Sequence, residues 1–147
     1  MEEKFHKTAI FKLERFFIPK FSCEEPKVAF AEVDLNLTPS GIYNPTNGEY
    51  QLTFDLKVIG KSGDDKKEYK EIISANCLAY FIIDKSPSFT EIPDFFFSNC
   101  IAIVFPYMRA FISTLTLQAG QKMLILPILD LTSMSASLKN ETTILNP

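Results

Sequence analysis

The residue types that most often carry enzymatic chemistry are few in this sequence and lie far apart. His6 is the only histidine among 147 residues. A Ser-His-Asp or Cys-His arrangement, and most zinc sites, would depend on it, yet its terminal position favours a solvated side chain. Cys23, Cys77 and Cys100 are an odd number at wide spacing and form no CxxC pair. Neither a disulfide framework nor a thiolate metal site is therefore predicted.

The carboxylates also lack the arrangement of a paired acid and base in an apolar setting. Asp64 and Asp65 fall in a charged stretch, whereas Asp94 and Asp130 stand at predicted helix starts, where capping accounts for them. With only 5 glycines, the chain contains no glycine-rich loop for phosphate. We expect a protein that is not an enzyme and that uses no cofactor and no metal.

Composition sets the class of protein and its compartment. Hydrophobic residues make up 46% and charged residues 22% of the chain, which suits one globular domain over residues 1–147 with mobile ends at 1–8 and 139–147. The net charge of −3 does not indicate the excess of Lys and Arg that binding to phosphates needs, so nucleic acid is not an expected partner. The apolar run 101–105, which Pro106 and Arg109 follow, is far shorter than the ~20 residues of a membrane span. The start is acidic and carries no export signal, so we expect a cytoplasmic protein without membrane insertion.

The first half of the chain has the pattern of strands. Apolar and polar residues alternate over 33–37 and 50–58, which indicates a sheet with one buried face. A further strand is predicted within 10–18, and a longer one over 68–83, with Ala75, Cys77, Ala79, Phe81 and Ile83 on one face. The charged stretch 61–67 reads as a hairpin loop. Four consecutive strands joined by turns favour an antiparallel sheet.

The second half has the pattern of helices. Apolar residues step by three and four from Ile101 to Leu115, which predicts an amphipathic helix over about 98–119 that ends at Gly120 and bends near Pro106. Residues 123–128 are predicted to be extended, and a short last helix over about 130–138. The fold class is thus α+β, with a four-stranded antiparallel sheet and one long and one short C-terminal helix.

Aromatic residues are unusually abundant, with 14 Phe and 5 Tyr. Phe95, Phe96 and Phe97 are consecutive and cannot all face one core, because neighbouring side chains differ by about 100° on a helix and 180° on a strand. At least one of these rings is expected to face a partner, a second subunit or a ligand groove. A sheet covered by one long helix also leaves apolar surface uncovered, which usually marks an interface or a binding surface.

One segment resembles a known family. Phe105, Pro106, Tyr107 and Arg109 form a Phe-Pro-Tyr-x-Arg motif that is similar to the signature of SecB, the bacterial protein-export chaperone. The strand end at 79–82 lies upstream, and the extended segment 124–127 lies before Asp130 and Leu131, as in that family. The resemblance is strongest over residues 75–131.

The resemblance implies a holdase that keeps unfolded polypeptides in surface grooves without ATP, assembles as a dimer of dimers and delivers preproteins to the motor SecA. Such grooves gain free energy by burying apolar side chains, which is non-directional and suits Phe and Met. The family's strong acidity and motor-docking tail are not matched here, since residues 142–147 carry no charge. Engagement of SecA therefore stays open, and an antitoxin-associated SecB-like chaperone is an alternative.

The predicted contact residues follow from the apolar surplus around the two helix starts. They are Phe95, Phe96, Phe97, Leu129, Leu131 and Met134. Within the motif, Phe105 is expected in the core, Pro106 at a helix bend, and Tyr107 and Arg109 off the buried stripe in subunit contacts. A small-molecule or lipid carrier, with Phe side chains lining an enclosed pocket, is the alternative from another class. A purely structural assembly subunit is a third.

Overall fold

The structure is a computed structural model that describes residues 10–24, 32–61, 69–127 and 129–146. Its elements are β1 (Phe11–Cys23), β2 (Glu32–Asn44), β3 (Glu49–Lys61), β4 (Tyr69–Ile83), α1 (Asp94–Gln118), α2 (Ser135–Asn140) and β5 (Thr142–Ile144). Short 3-10 turns at Phe89–Glu91 and Thr132–Met134 precede the two helices. His6, the expected mobile end at 1–8 and most of the predicted loop at 61–67 lie outside the described residues.

In the described part of the chain, the sheet has five strands in the order β1-β4-β3-β2-β5. The first four pair antiparallel, as predicted, but β5 pairs in parallel with Gly41–Tyr43 of β2, so the sheet is mixed and the expected four-stranded antiparallel sheet is incomplete. This strand lies in the segment 139–147, for which we expected a mobile end. The buried Leu138 anchors α2, and the Thr142 hydroxyl donates to the Leu138 carbonyl at 2.7 Å, which directs the chain onto the sheet edge.

The core lies between one face of the sheet and α1. On β3, buried side chains alternate with partly exposed ones from Tyr50 to Gly60, as the period-2 pattern predicted. On β4, the predicted face is also confirmed, with Ala75, Cys77, Ala79, Phe81 and Ile83 all buried. This face positions α1, because the helix covers it with its own apolar stripe.

Helix α1 begins four residues earlier than predicted, at Asp94, and continues without interruption through Pro106. It ends as predicted: Gly120 adopts φ +75°, its N–H donates to the Leu117 carbonyl, and the Gln121 N–H donates to the Thr116 carbonyl. This pair of bonds is the Schellman cap that glycine permits. By length and composition alone α1 is apolar enough to span a membrane, but nine of its residues are buried, which also suits a core helix.

Candidate functional site

The three consecutive phenylalanines divide between surface and core. Phe95 is 46% exposed, whereas Phe96 and Phe97 are each 1% exposed. The prediction that all three contact a client is therefore wrong for Phe96 and Phe97, because both side chains are enclosed by the chain itself. The cause is the early start of α1: at 100° per residue, two neighbours can face the sheet while the third faces outward.

The buried rings pack on one another and fill the space between helix and sheet. Phe96 lies edge-on to Tyr50 and to Phe11, with ring centroids 4.9 Å apart in each case, and 5.4 Å from Phe97. Phe97 also contacts Phe89 at 6.0 Å. Aromatic pairs at these distances and angles stabilise a core beyond their area burial. These rings line neither of the two grooves described below.

The extended segment 122–127 runs back along α1 and is tied to it by side-chain hydrogen bonds. The Ser113 hydroxyl donates to the Leu124 carbonyl at 3.0 Å, and the Leu124 N–H donates to the Thr116 hydroxyl at 3.0 Å. One turn earlier, Arg109 Nε donates to the Leu126 carbonyl at 3.2 Å. Because 109, 113 and 116 share one helix face, they hold the segment at a fixed distance from α1.

Beyond this segment the chain and the helix enclose an open groove of about 370 Å³, which we call the helix groove. Its lining residues are Ser98, Asn99, Ala102, Phe105, Pro106 and Arg109 from α1, and Leu129, Asp130, Leu131 and Thr132 from the facing chain. The apolar side chains come from both walls, and the polar ones are interspersed among them. This composition matches the mostly apolar lining, with a few polar groups, of ligand sites.

The helix groove brings together part of the predicted set. Leu129 and Leu131 face Phe105 and Pro106 across it. Met134 lies elsewhere, in a second groove of about 530 Å³ beside β2, and Phe95 lines neither groove. The helix groove is accessible from solvent, because residues of both its walls are only half-buried.

The motif residues separate onto different sides of α1. Phe105 is buried, as expected, although it also reaches the helix groove. Tyr107 is 52% exposed and its ring lies 5.3 Å from that of Phe16 on β1, on a side of the helix away from the helix groove. Arg109 is half-buried and joins the helix groove to the tethered segment. Neither Tyr107 nor Arg109 is fully buried, and their role in subunit contacts stays a prediction.

Sequence reasoning missed five residues of the helix groove: Asp130 and Thr132 on the facing chain, and Ser98, Asn99 and Ala102 on α1. A signal for the helix residues was present, because 98, 102, 105 and 109 follow the three-and-four spacing of a single helix face. That face was overlooked because small and polar residues form half of it, so it does not stand out as an apolar stripe.

The charges at the helix groove have defined partners. The Asp130 carboxylate accepts hydrogen bonds from the Thr132 hydroxyl at 2.6 Å and the Thr132 N–H at 3.1 Å, which lowers the pKa of Asp130. Across the described residues, no carboxylate lies within 4.0 Å of the Arg109 guanidinium. Within those same residues, no three His, Cys, Asp or Glu side chains cluster in a way that could hold a metal ion.

The thiols are packed rather than activated. Burial raises the pKa of Cys77 to about 12, and burial also raises the pKa of Cys100 and of the half-buried Cys23. A nucleophilic cysteine needs the opposite shift, toward the thiolate. None of the three has the environment of a catalytic thiol.

Comparison with known proteins bears on the fold. The sequence matches no protein-family model and no curated protein. A solved structure is similar with a TM-score of 0.58 and 15% identity, over 81% of this chain and 90% of the other: the Mycobacterium tuberculosis SecB-like chaperone Rv1957, in complex with a ChAD peptide from the HigA1 antitoxin Rv1956. The fold is SecB-like. The SecB-like fold agrees with the resemblance carried by the Phe-Pro-Tyr-x-Arg motif, although at this identity the likeness concerns the fold alone.

Proposed function

We propose that this chain is a SecB-like molecular chaperone, a holdase that binds unfolded polypeptides or preproteins without ATP. The observation that carries the proposal is the open helix groove between α1 and residues 129–132, on a fold shared with a SecB-like chaperone. That chaperone was solved with a peptide from an antitoxin, which supports a polypeptide as the ligand. In this proposal the chain is cytoplasmic, performs no catalytic step and needs no cofactor.

The composition of the helix groove suits an unfolded client. Leu129, Leu131, Phe105 and Pro106 offer apolar surface, and each Å² of it that a client covers gains roughly 25 cal/mol whatever the client sequence. The side chains of Asn99 and Thr132 can bond to the client's main chain, which is the same for every sequence. The pairing of these two features explains how one groove could hold many clients.

A second candidate is a chaperone dedicated to an antitoxin. The similar structure contains an antitoxin peptide, and the net charge of −3 departs from the strong acidity of the export chaperones that the motif resembles. Export through SecA remains the alternative role of the same helix groove. Affinity for a purified preprotein, compared with affinity for an antitoxin encoded beside the chain's own gene, separates these roles.

We also propose self-association, as a dimer or a dimer of dimers, through an apolar strip on the outer side of α1 and β1. Its members are exposed side chains: Phe21, Ile103, Tyr107 and Leu117. Tyr107 and Phe111 pack on Phe16 and Phe21, with ring centroids 5.3 and 5.1 Å apart, so strand and helix present one continuous surface. Exposed patches of this kind commonly mark subunit interfaces. Light scattering after size-exclusion chromatography measures the assembly directly.

A carrier of small apolar molecules would need an enclosed aromatic pocket. The buried rings of Phe96, Phe97 and Tyr50 instead contact one another at 4.9 to 6.1 Å, and the helix groove is open to solvent. This packing favours the holdase over the carrier. A lipid extract of the purified protein, analysed by mass spectrometry, tests the carrier separately.

The test of the holdase is suppression of aggregation. Denatured citrate synthase, diluted into buffer without nucleotide, should scatter less light as the chain is added, with full suppression near stoichiometric amounts. Replacement of Leu131 with Ser should weaken suppression at least fivefold, because it removes apolar surface from the helix groove. The matched control is Ile125→Ser, since Ile125 is 64% exposed and does not line that groove. Unchanged aggregation at saturating amounts of the native chain would contradict the proposal.

A further inference from the structure

The helix groove is closed at one end by hydrogen bonds between α1 and the extended segment 122–127. Arg109 Nε donates to the Leu126 carbonyl at 3.2 Å, and one turn further along α1 the Ser113 hydroxyl donates to the Leu124 carbonyl at 3.0 Å. Arg109 is also the last residue of α1 that lines the helix groove. An extended chain that follows the groove toward this end therefore meets Arg109 and cannot continue between α1 and the segment.

The helix groove is long enough for the end of a polypeptide. From Arg109 to Ser98 it follows α1 for about 16 Å, at 1.5 Å per residue. An extended chain rises ~3.3 Å per residue, so this length corresponds to about five residues. Half of the residues along the groove are apolar: Ala102, Phe105, Pro106, Leu129 and Leu131. The last residues of a client would thus lie against apolar walls before they reach the closed end.

Arg109 brings an unpaired positive charge to the closed end. Its side chain is half-buried, and its one hydrogen bond within the described residues runs from Nε to Leu126. No carboxylate of those residues lies within 4.0 Å of the guanidinium, although Asp130 lines the same groove. By contrast, several described lysines pair with a carboxylate, as Lys139 does with Asp94 at 2.8 Å. A charged side chain that is partly withdrawn from water without a counter-ion favours the arrival of an opposite charge.

The shape of the guanidinium determines which anion fits. With Nε bonded to Leu126, the two Nη atoms remain, and their N–H groups can hold both oxygens of one carboxylate side by side. The terminal carboxylate of an extended chain lies in line with that chain, whereas Asp and Glu side chains stand across it. A chain that stops at the closed end would therefore present its C-terminus to Arg109 directly. An internal Asp or Glu would reach Arg109 only if the chain left the groove at that point.

We propose that Arg109 makes the helix groove a site for the C-terminal carboxylate of a client whose last residues are apolar. This proposal rests on the proposed function, because it names the part of a client that the groove holds. Two observations support this one occupant: the unpaired guanidinium favours an anion, and the closed end favours a chain that stops there. Asp130 on the facing chain disfavours clients with further carboxylates just upstream of the C-terminus.

The test compares peptides that differ in their carboxylates. The probe is an N-terminally fluorescein-labelled heptapeptide in which leucine and serine alternate and leucine is last, prepared with a free C-terminal carboxylate or as the amide. A third peptide is the amide with glutamate in place of the serine before the last leucine, so that its carboxylate is internal. Fluorescence anisotropy should show that the free acid binds at least fivefold more tightly than either amide. Equal affinities for the free acid and either amide, or no binding of the free acid, would overturn the proposal.

Variants assign the preference for the free acid to Arg109. Arg109→Gln removes the charge but keeps N–H donors, and it should bring the free acid and the simple amide within twofold of each other. This ratio is measured within one protein, so a smaller folded fraction lowers both affinities alike. Ser113→Ala is the matched control, because it removes another hydrogen bond to the segment but leaves the guanidinium, and it should keep the fivefold preference. Loss of the preference in Ser113→Ala, or its persistence in Arg109→Gln, would overturn the proposal.

A second variant covers the case in which Arg109→Gln does not fold. Arg109→Lys keeps the charge but lacks the two donors that lie side by side, so its preference for the free acid should be at least twofold smaller than that of the native protein. An undiminished preference would contradict the role of the guanidinium.

Suppression of citrate synthase aggregation by the native protein separates this proposal from the proposed function. If the native protein suppresses aggregation but binds the free acid and the amides alike, the holdase stands and the C-terminal site falls. If it binds the free acid selectively without suppressing aggregation, the C-terminal site stands and the holdase falls.

Discussion

Arg109 Nε donates a hydrogen bond to the carbonyl of Leu126 at 3.2 Å, and this bond links the long helix to the segment that leads into the far wall of the helix groove. Leu126 is buried, so the bond fixes the path of the chain just before Pro127. Leu129 and Leu131, which follow, then face α1 across the helix groove. The arginine of the Phe-Pro-Tyr-x-Arg motif thereby has a structural role that positions the candidate site.

Replacement of Arg109 by Ala should loosen this wall. A charge-assisted hydrogen bond to a carbonyl contributes roughly 1.5–3 kcal/mol, and the half-buried position of Arg109 favours the lower end, so we expect a loss of about 1.5 kcal/mol in the free energy of unfolding. Urea denaturation measures the stability, and hydrogen exchange of the Leu124 and Leu126 amides reports the local loosening.

Lys122→Ala is the control for Arg109→Ala, because Lys122 is an exposed cation at the start of the same extended segment. Its removal should change stability by less than 0.5 kcal/mol, as is usual for exposed surface positions. Equal effects of the two substitutions would show that the Arg109–Leu126 bond does not hold the segment.

Substitution of Phe96 should lower the stability of the protein strongly, whereas substitution of Phe95 should change it little. Phe96→Ala empties space among Tyr50, Phe11 and Phe97 and should cost about 3–5 kcal/mol, which is large against the total stability of a small domain. Phe95→Ser removes a side chain that is 46% exposed and should leave the thermal unfolding midpoint within a few degrees of the native value. Circular dichroism of the two variants during heating checks both outcomes.

The phenylalanine run illustrates what could be read from the sequence and what could not. Helical geometry requires that Phe95, Phe96 and Phe97 divide between faces, and they do. Which ring faces outward depends on where α1 begins, and its start at Asp94 moved two rings into the core. A boundary error of four residues was enough to reverse their roles, because each residue turns the face by about 100°.

The alternation of apolar and polar residues could not predict the fifth strand, β5. Thr142–Ile144 is only three residues long, too short for a period-2 signal to stand out. Its position is decided by tertiary contacts: Leu138 is buried, and the Tyr50 and Thr142 hydroxyls share a hydrogen bond at 2.8 Å across 92 residues of sequence. The longer β3 and β4 were predicted well because their alternation extends over most of each strand.

The three thiols should differ in reactivity. Cys23 is half-buried and should be modified first by Ellman's reagent at pH 8, whereas Cys77 and Cys100 should react only when the chain unfolds. With its pKa raised to about 12, Cys77 has a thiolate fraction of roughly one in ten thousand at pH 8. We expect one thiol to react before denaturation and two more after it, which makes three in total. Rapid release of all three from the folded protein would contradict the burial of Cys77 and Cys100.

The same shift predicts a loss of stability in alkali. The pKa of Cys77 is raised from 9.0 to about 12 on folding, first by desolvation and then by Asp55. A raised folded-state pKa gives a contribution that is present below pH 9 and is lost as pH rises toward 12. The slope is about 1.4 kcal/mol per pH unit in that window. Urea denaturation at pH 8, 9 and 10 measures it, and a Cys77→Ala variant should show a correspondingly shallower dependence.

The last prediction concerns the contact that seats β5. A Cβ atom added at Gly41 would overlap the Tyr50 hydroxyl and lie 3.1 Å from Thr142 Oγ1, so the glycine makes room for the hydrogen bond between these two side chains. Gly41→Ala should therefore displace Tyr50 or Thr142 and destabilise the protein by about 1–3 kcal/mol, the usual range for overpacking. Hydrogen exchange of the Thr143 and Leu145 amides should rise as β5 detaches. Gly120→Ala is the comparison, because a Cβ there meets no atom within 4 Å and its cost comes only from φ +75°. If Gly41→Ala left both stability and β5 exchange unchanged, the path of the C-terminal strand would not depend on Gly41.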